Sequence, residues 1–310
     1  MEIEGPGGNR IACQVAGPPD APPVVLTSGI GCGPVFYRHI APVLAERYRT
    51  VYWDYRAHGE SGLAPDGRSY RIEDHSRDLD TVIRALTDRP PFLVGFSMGV
   101  QVTLEWVRRH ERAGVLAYVF LLGMPHNPLY THWFWGSTIM RRSLAGALDI
   151  GGARIVPRLH FLSKAVLRNR FSYTVARRTG LVTDDFTWRD YDEFIHYSSG
   201  VRPDAYLRTA VGVLDHAADD VWERLDAPVL YAWSGRDRIV PTSECQSSAR
   251  GLKDARTHEL DGRSHAGMVE SGRELALEIR DFLDAHAPGR TSDTLSNRTT
   301  TERPRLETRP

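Results

Sequence analysis

The sequence predicts an α/β fold in which a mostly parallel sheet carries helices on both faces. Short apolar runs alternate with longer amphipathic segments in two stretches of the chain, residues 10–122 and residues 229–285. This alternation is typical of a parallel sheet, because each crossover between parallel strands places a helix on a face of the sheet. The continuous apolar run at residues 23–27 also indicates a strand that is covered on both faces.

The individual elements follow from the same apolar patterns. Strands are predicted at residues 10–16, 23–27, 50–53, 92–95, 116–122, 229–233 and 257–260. Helices are predicted at residues 36–47, 72–86, 100–107 and 273–285. Together these elements predict one α/β core built from two separate parts of the chain, residues 1–123 and 227–285.

Residues 124–226 interrupt the alternation. They contain no clear buried strand in the sequence pattern, and they carry fourteen of the 29 aromatic residues of the chain. An all-helical segment inserted between two strands of one sheet predicts a cap over the strand ends. Most of these aromatic side chains are expected in the core of the cap, and a few are expected to line a pocket beneath it. The last segment, residues 286–310, lacks apolar periodicity and predicts a disordered tail.

The overall composition argues against several classes of protein. The 310 residues include 39 acidic and 39 basic side chains, and the basic residues are scattered, so that no footprint for nucleic acid is visible. No run of 18 apolar residues is present to span a membrane, and the N-terminus lacks the pattern of a signal peptide. Three cysteines without paired spacing argue against a disulfide framework and a zinc site. We therefore expect a cytoplasmic protein that holds no metal.

The clearest chemical signal is the motif G-x-S-x-G at Gly95-Phe96-Ser97-Met98-Gly99. The motif lies between a predicted strand and a predicted helix, a position that presents the serine on a sharp turn. The flanking glycines allow this turn, because larger residues would clash with the neighbouring strand and helix backbones. The hydroxyl of Ser97 is then exposed above the sheet, at the positive end of the helix dipole. Ser97 is therefore the candidate nucleophile.

A serine nucleophile requires a base and an acid, and both follow later strands. A neutral hydroxyl is a poor nucleophile unless a base takes its proton, and histidine has a suitable pKa of about 6.5. A carboxylate then fixes the tautomer of that histidine. Asp237 follows the strand at 229–233, and His265 lies in a glycine-flanked loop after the strand at 257–260. Ser97, Asp237 and His265, in this order, are the predicted catalytic residues.

The remaining histidines offer weaker alternatives. His258 lies within a predicted strand and His110 at a helix end, where structural or solvated roles are expected. His58 follows a strand but precedes Ser97, which is the wrong order for this arrangement. His126 ends the strand before the cap, where it could contact a substrate.

With these motifs, the chain resembles the α/β-hydrolase fold superfamily over residues 10–123 and 227–285. The segment from Asp54 to Ser61 is similar to the D-x-R-G-x-G-x-S segment of that family, with Ala57 in place of a glycine. The resemblance implies the same fold with a helical cap, catalysis by the serine, aspartate and histidine just named, and no metal or organic cofactor. A serine rather than an aspartate as the nucleophile argues against the haloalkane dehalogenases and epoxide hydrolases.

The loop after the strand at residues 23–27 departs from the family pattern. Family members usually carry His-Gly there, and the next backbone N–H forms half of an oxyanion hole; here Ser28 and Gly29 occupy those two positions. By this correspondence the backbone N–H groups of Ile30 and Met98 are the predicted oxyanion donors. Backbone donors do not depend on the side chain, so the departure is compatible with a functional hole.

The motifs and the resemblance together predict a serine hydrolase that cleaves a carboxylic ester or a related acyl compound through an acyl-enzyme on Ser97. A thioesterase, a lactonase, a carbon–carbon bond hydrolase or an acyltransferase would use the same three residues. A cyclase or a ligand-binding protein could keep the fold without using them. The aromatic content of the cap favours a small-molecule substrate that is largely apolar. The sequence does not indicate an oligomeric state.

Overall fold

The computed structural model describes residues 1–110, 114–126 and 166–288 of the chain. Eight strands form one sheet in the order β1-β2-β4-β3-β5-β6-β7-β8. The strands are β1 (Glu2–Glu4), β2 (Arg10–Ala16), β3 (Pro23–Thr27), β4 (Arg49–Trp53), β5 (Phe92–Phe96), β6 (Ala117–Leu121), β7 (Val229–Ser234) and β8 (Ala255–Leu260). The pairs from β4 across to β8 are parallel, whereas β1 and β2 add antiparallel pairs at one edge.

The helices connect these strands and cover the sheet. They are α1 (Ile40–Ala45), α2 (Ile72–Leu86), α3 (Met98–Arg109), α4 (Arg170–Arg178), α5 (Trp188–Ser198), α6 (Pro203–Asp215), α7 (Asp219–Trp222), α8 (Thr242–Ala249), α9 (Gly267–Glu270) and α10 (Gly272–His286). A short 3-10 helix at Pro34–Tyr37 precedes α1. The predicted fold class is confirmed, because the described sheet is mostly parallel and carries helices on both faces.

Two apolar layers bury the faces of the sheet. Along β3 every residue is buried, and successive side chains point to opposite layers: Val24 and Leu26 join one, and Val25 joins the other. The first layer is completed by side chains of α1 and α10, and the second by side chains of α2 and α3. This double cover explains why the central strands are continuous apolar runs in the sequence.

The structure differs from the predicted elements at two places. Strand β1 was not predicted, and it is only three residues long at the edge of the sheet. The single helix expected at residues 36–47 is instead a 3-10 helix followed by α1. Pro42 explains the break, because a proline has no N–H to bond the carbonyl of Arg38 and its ring would clash with that carbonyl in a continuous helix.

The predicted cap and tail are only partly within the described residues. Helices α4 to α7 lie between β6 and β7 in the chain, within the range 124–226 of the predicted insertion. Residues 127–165 of that insertion and residues 289–310 of the predicted tail lie outside the described residues. Helix α10 extends to His286. Across the described part of the chain, no helix has the length and apolar character needed to cross a membrane.

Candidate active site

Ser97 lies at the sharp turn between β5 and α3. Its backbone angles, φ 53° and ψ −118°, belong to a region that a residue with a side chain adopts only under strain. The turn brings α3 close to β3, so that a Cβ on Gly99 would lie 2.1 Å from the carbonyl oxygen of Thr27. A Cβ on Gly95 would lie 2.8 Å from the carbonyl oxygen of Gly99. The backbones therefore leave no room for a side chain at Gly95 or at Gly99.

His265 connects Ser97 to Asp237. The Nδ1 atom of His265 lies 2.7 Å from Oδ2 of Asp237, and because a carboxylate only accepts, Nδ1 carries the hydrogen and donates it. Nε2 is then an acceptor, and it lies 3.0 Å from the hydroxyl oxygen of Ser97. The other carboxylate oxygen of Asp237 accepts the backbone N–H groups of Ile239 and Val240 at 2.7 and 2.9 Å. The folded chain thus brings the three predicted residues into one hydrogen-bonded series.

Sheet topology accounts for this meeting. Ser97 follows β5, Asp237 follows β7 and His265 follows β8, and these strands run in the same direction. The carboxyl ends of parallel strands lie at one edge of the sheet, which is where open α/β sheets form their binding crevices. The side chain of Asp237 is 1% exposed and that of His265 is 13% exposed, so water has little access to the bond between them.

Glu270 holds the loop that carries His265, and the sequence did not indicate it. Its Oε2 atom accepts the backbone N–H of Ser264 at 2.8 Å, and its Oε1 atom accepts the hydroxyl of Ser264 at 2.6 Å. Oε1 also accepts the backbone N–H of Thr183 at 2.8 Å, from the segment between β6 and β7. The buried Glu270 carboxylate therefore fixes the residue before His265 and ties it to that segment.

The loop after β3 lies against the nucleophile. A Cβ on Gly29 would lie 3.1 Å from the Cβ of Ser97. The hydroxyl of Ser28 donates to the carbonyl of Cys32 at 2.9 Å and closes the loop. The carbonyl of Ser28 accepts the hydroxyl of Tyr55 at 2.6 Å. Ser28, at the position where family members usually carry histidine, thus has a structural role within the loop.

The two predicted oxyanion donors have unengaged N–H groups. Met98 is the first residue of α3, so its N–H has no acceptor within the helix. Among the described residues, neither this N–H nor that of Ile30 has a hydrogen-bond acceptor. The next N–H in the loop, that of Gly31, donates to Nε2 of His58 at 3.2 Å. Neither predicted donor therefore uses its N–H within the described part of the chain.

His58 is a neutral acceptor within the core. Burial lowers its pKa from 6.5 to about 4, so the imidazole is uncharged near pH 7. Its Nδ1–H donates to the carbonyl of Arg56 at 3.1 Å, which leaves Nε2 free to accept from Gly31. The guanidinium of Arg56 makes two bonds of 2.7 Å to the buried carboxylate of Asp78 on α2. The sequence analysis assigned His58 no catalytic role because this residue precedes Ser97 in the chain. In the structure His58 follows β4, which is the neighbour of β3 in the sheet.

Ser97 lines two cavities. Cavity A has a volume of about 230 Å³ and is lined by Ile30, Ser97, Met98, Gln101, Gly123, Met124, Tyr206, Ala210, Val213, Leu214, Ile239 and Val240. Cavity B has a volume of about 320 Å³ and is lined by Ile30, Cys32, Phe36, Ser97, Ala176, Leu181, Val182, Phe186, Tyr191, Phe194, Ile195, Tyr206, Ile239, His265 and Ala266. Both linings are predominantly apolar, and both include residues from the segment between β6 and β7.

The sequence of this chain matches a known family over most of its length. The alpha/beta hydrolase fold family matches residues 22–271. The chain belongs to the α/β-hydrolase family. The eight-stranded sheet and the serine between β5 and α3 agree with this membership.

Relatives of this α/β hydrolase include named enzymes. It is 28% identical to the "Putative carbamate hydrolase RutD" of Variovorax paradoxus, over 89% of this chain and 97% of the relative. It is 26% identical to the pimeloyl-[acyl-carrier protein] methyl ester esterase of Methylococcus capsulatus, over 84% of this chain and 94% of the relative. Its fold is similar to that of a thermophilic esterase from Thermogutta terrifontis, with a TM-score of 0.71, 18% identity, and coverage of 93% of this chain and 98% of that chain.

Two other histidines that the sequence analysis considered, His126 and His258, have partners away from Ser97 in this α/β hydrolase. Nδ1 of His126 lies 2.7 Å from a carboxylate oxygen of Asp219, and His126 is not among the described residues that line the two cavities. Nδ1 of His258 lies 2.7 Å from a carboxylate oxygen of Glu278. Within residues 1–110, 114–126 and 166–288, no group of three His, Cys, Asp or Glu side chains is placed to hold a metal ion.

A tyrosine of α5 reaches the segment after β4. The hydroxyl of Tyr197 donates to Oδ1 of Asp54 at 2.5 Å, and the hydroxyl of Tyr52 donates to the same oxygen at 3.2 Å. The other carboxylate oxygen accepts the backbone N–H of Glu60 at 3.1 Å. Burial raises the pKa of Asp54, and these donors oppose that shift. In this α/β hydrolase, the carboxylate that begins the segment similar to D-x-R-G-x-G-x-S therefore links α5 to the core.

Proposed function

We propose that the protein is a serine hydrolase that cleaves a carboxylic ester or a related acyl compound. The observation that carries the proposal is the series of hydrogen bonds from Asp237 through His265 to Ser97, at 2.7 and 3.0 Å. Family membership and relatives named for carbamate and methyl ester hydrolysis support the same chemistry. In this proposal Ser97 is the nucleophile, His265 the base and Asp237 the acid.

The first step forms an acyl-enzyme. The hydroxyl oxygen of Ser97 attacks the carbonyl carbon of the substrate while its proton passes to Nε2 of His265. Asp237 stabilises the imidazolium that results. The N–H groups of Ile30 and Met98 bind the negatively charged oxygen of the tetrahedral intermediate, a stabilisation for which one donor typically contributes about 3 kcal/mol. The carbon–oxygen bond to the alcohol then breaks, and the imidazolium protonates the leaving oxygen.

The second step releases the acid. His265 takes a proton from a water molecule, and the hydroxide attacks the carbonyl carbon of the acyl-enzyme. The bond to Ser97 breaks, and the imidazolium returns its proton to the serine oxygen. Each proton in this cycle is carried by His265, so the reaction as written needs no metal or organic cofactor.

We also assign residues 124–226 to a cap over the substrate. The contribution of Ala176, Phe186 and Tyr206 to the cavities beside Ser97 supports this assignment. The apolar linings of both cavities support a largely apolar substrate, because a charged group would lose its hydration there without an ion partner among the described lining residues.

Labelling with a fluorophosphonate tests the proposal. The reagent reacts with a serine only when a base activates it, so we expect one adduct, located by peptide mass spectrometry on Ser97. The variant Ser97→Ala should not be labelled, whereas Ser247→Ala, at an exposed serine of α8, should be labelled as the wild type is. A folded wild-type protein that stays unlabelled would instead indicate a ligand-binding protein on the same fold.

A further inference from the structure

We propose that cavity A binds the acyl part of the substrate and cavity B its alcohol part, and that the substrate is an arylalkyl ester of an aliphatic acid. The inference rests on the proposed serine hydrolase function and extends it to the substrate class. Ser97, Ile30, Tyr206 and Ile239 line both cavities, so the bond that is cleaved lies where the cavities meet.

The position of His265 distinguishes the two cavities. His265 lines cavity B and is not among the residues described for cavity A. The imidazolium must protonate the leaving oxygen, which places that oxygen and the group attached to it on the side of His265. Met98 lines cavity A and not cavity B, and its N–H is a proposed donor to the carbonyl oxygen, which stays with the acyl group. Cavity B is therefore the alcohol site and cavity A the acyl site.

Cavity B has an aromatic lining. Phe36, Phe186, Tyr191 and Phe194 contribute to it, and none of the four lines cavity A. The ring centroid of Phe36 lies 5.5 Å from that of Phe194 in an edge-on arrangement, and 6.2 Å from that of Phe186. An aromatic ring of the substrate could make similar tilted and edge-on contacts with these side chains, and such ring pairs stabilise a complex by more than the burial of their area alone. An alcohol that carries an aryl group fits this lining best.

Cavity A has an aliphatic lining instead. Its walls include Met98, Met124, Val213, Leu214 and Val240, and the one aromatic residue described for it is Tyr206, which it shares with cavity B. Flexible methionine side chains adapt to alkyl chains of different shape. An aliphatic acyl group is the fitting occupant.

Neither cavity favours a charged substituent. No Asp, Glu, Lys or Arg is among the described lining residues of either one. A carboxylate, ammonium or phosphate on the substrate would lose its hydration in these cavities without an ion partner. The described linings therefore favour a substrate whose two parts are both neutral.

A pair of isomeric esters tests the assignment. 2-Phenylethyl butanoate carries its aryl group on the alcohol, and butyl phenylacetate carries it on the acid, while both release a primary alcohol. We expect kcat/KM for the wild-type enzyme to be at least about 10-fold higher for 2-phenylethyl butanoate, the discrimination typical of apolar pockets that differ in fit. Equal values, or a preference for butyl phenylacetate, would overturn the assignment.

Substitutions that fill each cavity give a second, independent readout. Ala210→Leu on α6 narrows cavity A, and Ala176→Leu on α4 narrows cavity B. Ala210→Leu should lower kcat/KM for 2-phenylethyl hexanoate relative to 2-phenylethyl acetate by about 10-fold. Ala176→Leu should lower kcat/KM for 2-phenylethyl acetate relative to ethyl acetate by a similar factor. If Ala210→Leu instead impaired the esters with the larger alcohol, and Ala176→Leu those with the longer acyl chain, the two cavities would be assigned the wrong way round.

The labelling experiment separates failure of this inference from failure of the proposed function. If Ser97 reacts with the fluorophosphonate and neither isomeric ester is hydrolysed, the substrate class is wrong and the serine hydrolase proposal stands. If Ser97 does not react, both proposals are wrong.

Discussion

The Nε2 atom of His58 accepts the backbone N–H of Gly31 at 3.2 Å, so a side chain after β4 holds the loop after β3. Gly31 has a left-handed φ of 64°, and a Cβ there would lie 2.8 Å from the ring of Tyr206. The loop is thus constrained on both sides of Ile30, whose N–H is a proposed oxyanion donor. His58 is a positioning residue in this account, because it acts through the loop.

His58→Asn should lower kcat with little change in KM. The substitution removes the acceptor of Gly31, and the loosened loop then holds the N–H of Ile30 less accurately toward the oxyanion. Loss of a whole donor costs about 3 kcal/mol, so we expect a decrease in kcat of up to about 100-fold. Steady-state kinetics measure it, with His196→Asn on the exposed face of α5 as the control. An unchanged kcat in a folded His58→Asn protein would remove His58 from the mechanism.

The free energy of unfolding should rise with pH across the range in which the protonation of His58 differs between the folded and the unfolded chain. The pKa of this group is 6.5 in the unfolded chain and about 4 when buried, so between these values the unfolded state binds more protons. The linkage contributes roughly 3 kcal/mol of stability above pH 6.5, and this is lost as the pH falls to 4. The free energy of unfolding, measured with urea at several pH values, should depend less steeply on pH for His58→Asn than for the wild type. Parallel curves would contradict the prediction.

Asp237→Asn should lower kcat by about 10,000-fold, the effect seen when the acid of such a relay becomes an amide. An asparagine can donate to Nδ1 of His265, which favours the tautomer whose Nε2 carries the hydrogen and cannot accept from Ser97. The matched control is Asp261→Asn, at an exposed aspartate in the loop before His265. Near-normal turnover by Asp237→Asn would show that another carboxylate is the acid.

Gly99→Ala should destabilise the fold, because its Cβ would lie 2.1 Å from the carbonyl oxygen of Thr27 and two backbones would have to separate. We expect a loss of about 3 kcal/mol in the free energy of unfolding, measured with urea. Gly114→Ala is the control, since the nearest described atom to its Cβ would be one of Pro90 at 3.8 Å. Equal stability of the two variants would contradict the close approach of α3 to β3.

Tyr197→Phe should destabilise the contact between α5 and the core by about 1–3 kcal/mol, because it removes a donor from the buried carboxylate of Asp54. Tyr52→Phe removes a longer bond, at 3.2 Å, to the same oxygen and should cost less. Urea unfolding of both variants gives the comparison. A larger loss in the free energy of unfolding for Tyr52→Phe would show that its bond to Asp54 stabilises the fold more than the bond from Tyr197 does.

The main elements of the fold could be predicted because each is marked by its own residues. The apolar run of β3 and the periodicity of α2 are local patterns, and the glycines beside Ser97 mark a turn that few other sequences allow. The break before α1 was missed, although Pro42 is the local signal for it. Pro42 is the third residue of α1, where the backbone N–H has no acceptor within the helix. A proline is tolerated at such a position, so Pro42 alone did not predict where the helix begins.

Two supporting residues of the site could not be predicted. His58 acts on Gly31 from a distance of 27 residues along the chain, and Glu270 bonds Thr183 across 87 residues. No spacing or motif records such contacts, because they depend on which strands become neighbours and how deeply each side chain is buried. The sequence could place Ser97, His265 and Asp237, the proposed nucleophile, base and acid, because each one follows a strand that is predicted from the chain.

The hydroxyl and imidazole that meet at 3.0 Å are 168 residues apart in the chain. Closing so long a stretch of chain costs more conformational entropy than closing a local turn, so we expect this contact to form after the local helices. Regained hydrolysis after dilution from denaturant should therefore lag behind the return of helical circular dichroism. Enzymatic turnover would then report that the two separate parts of the chain have come together, whereas circular dichroism reports only the content of helix.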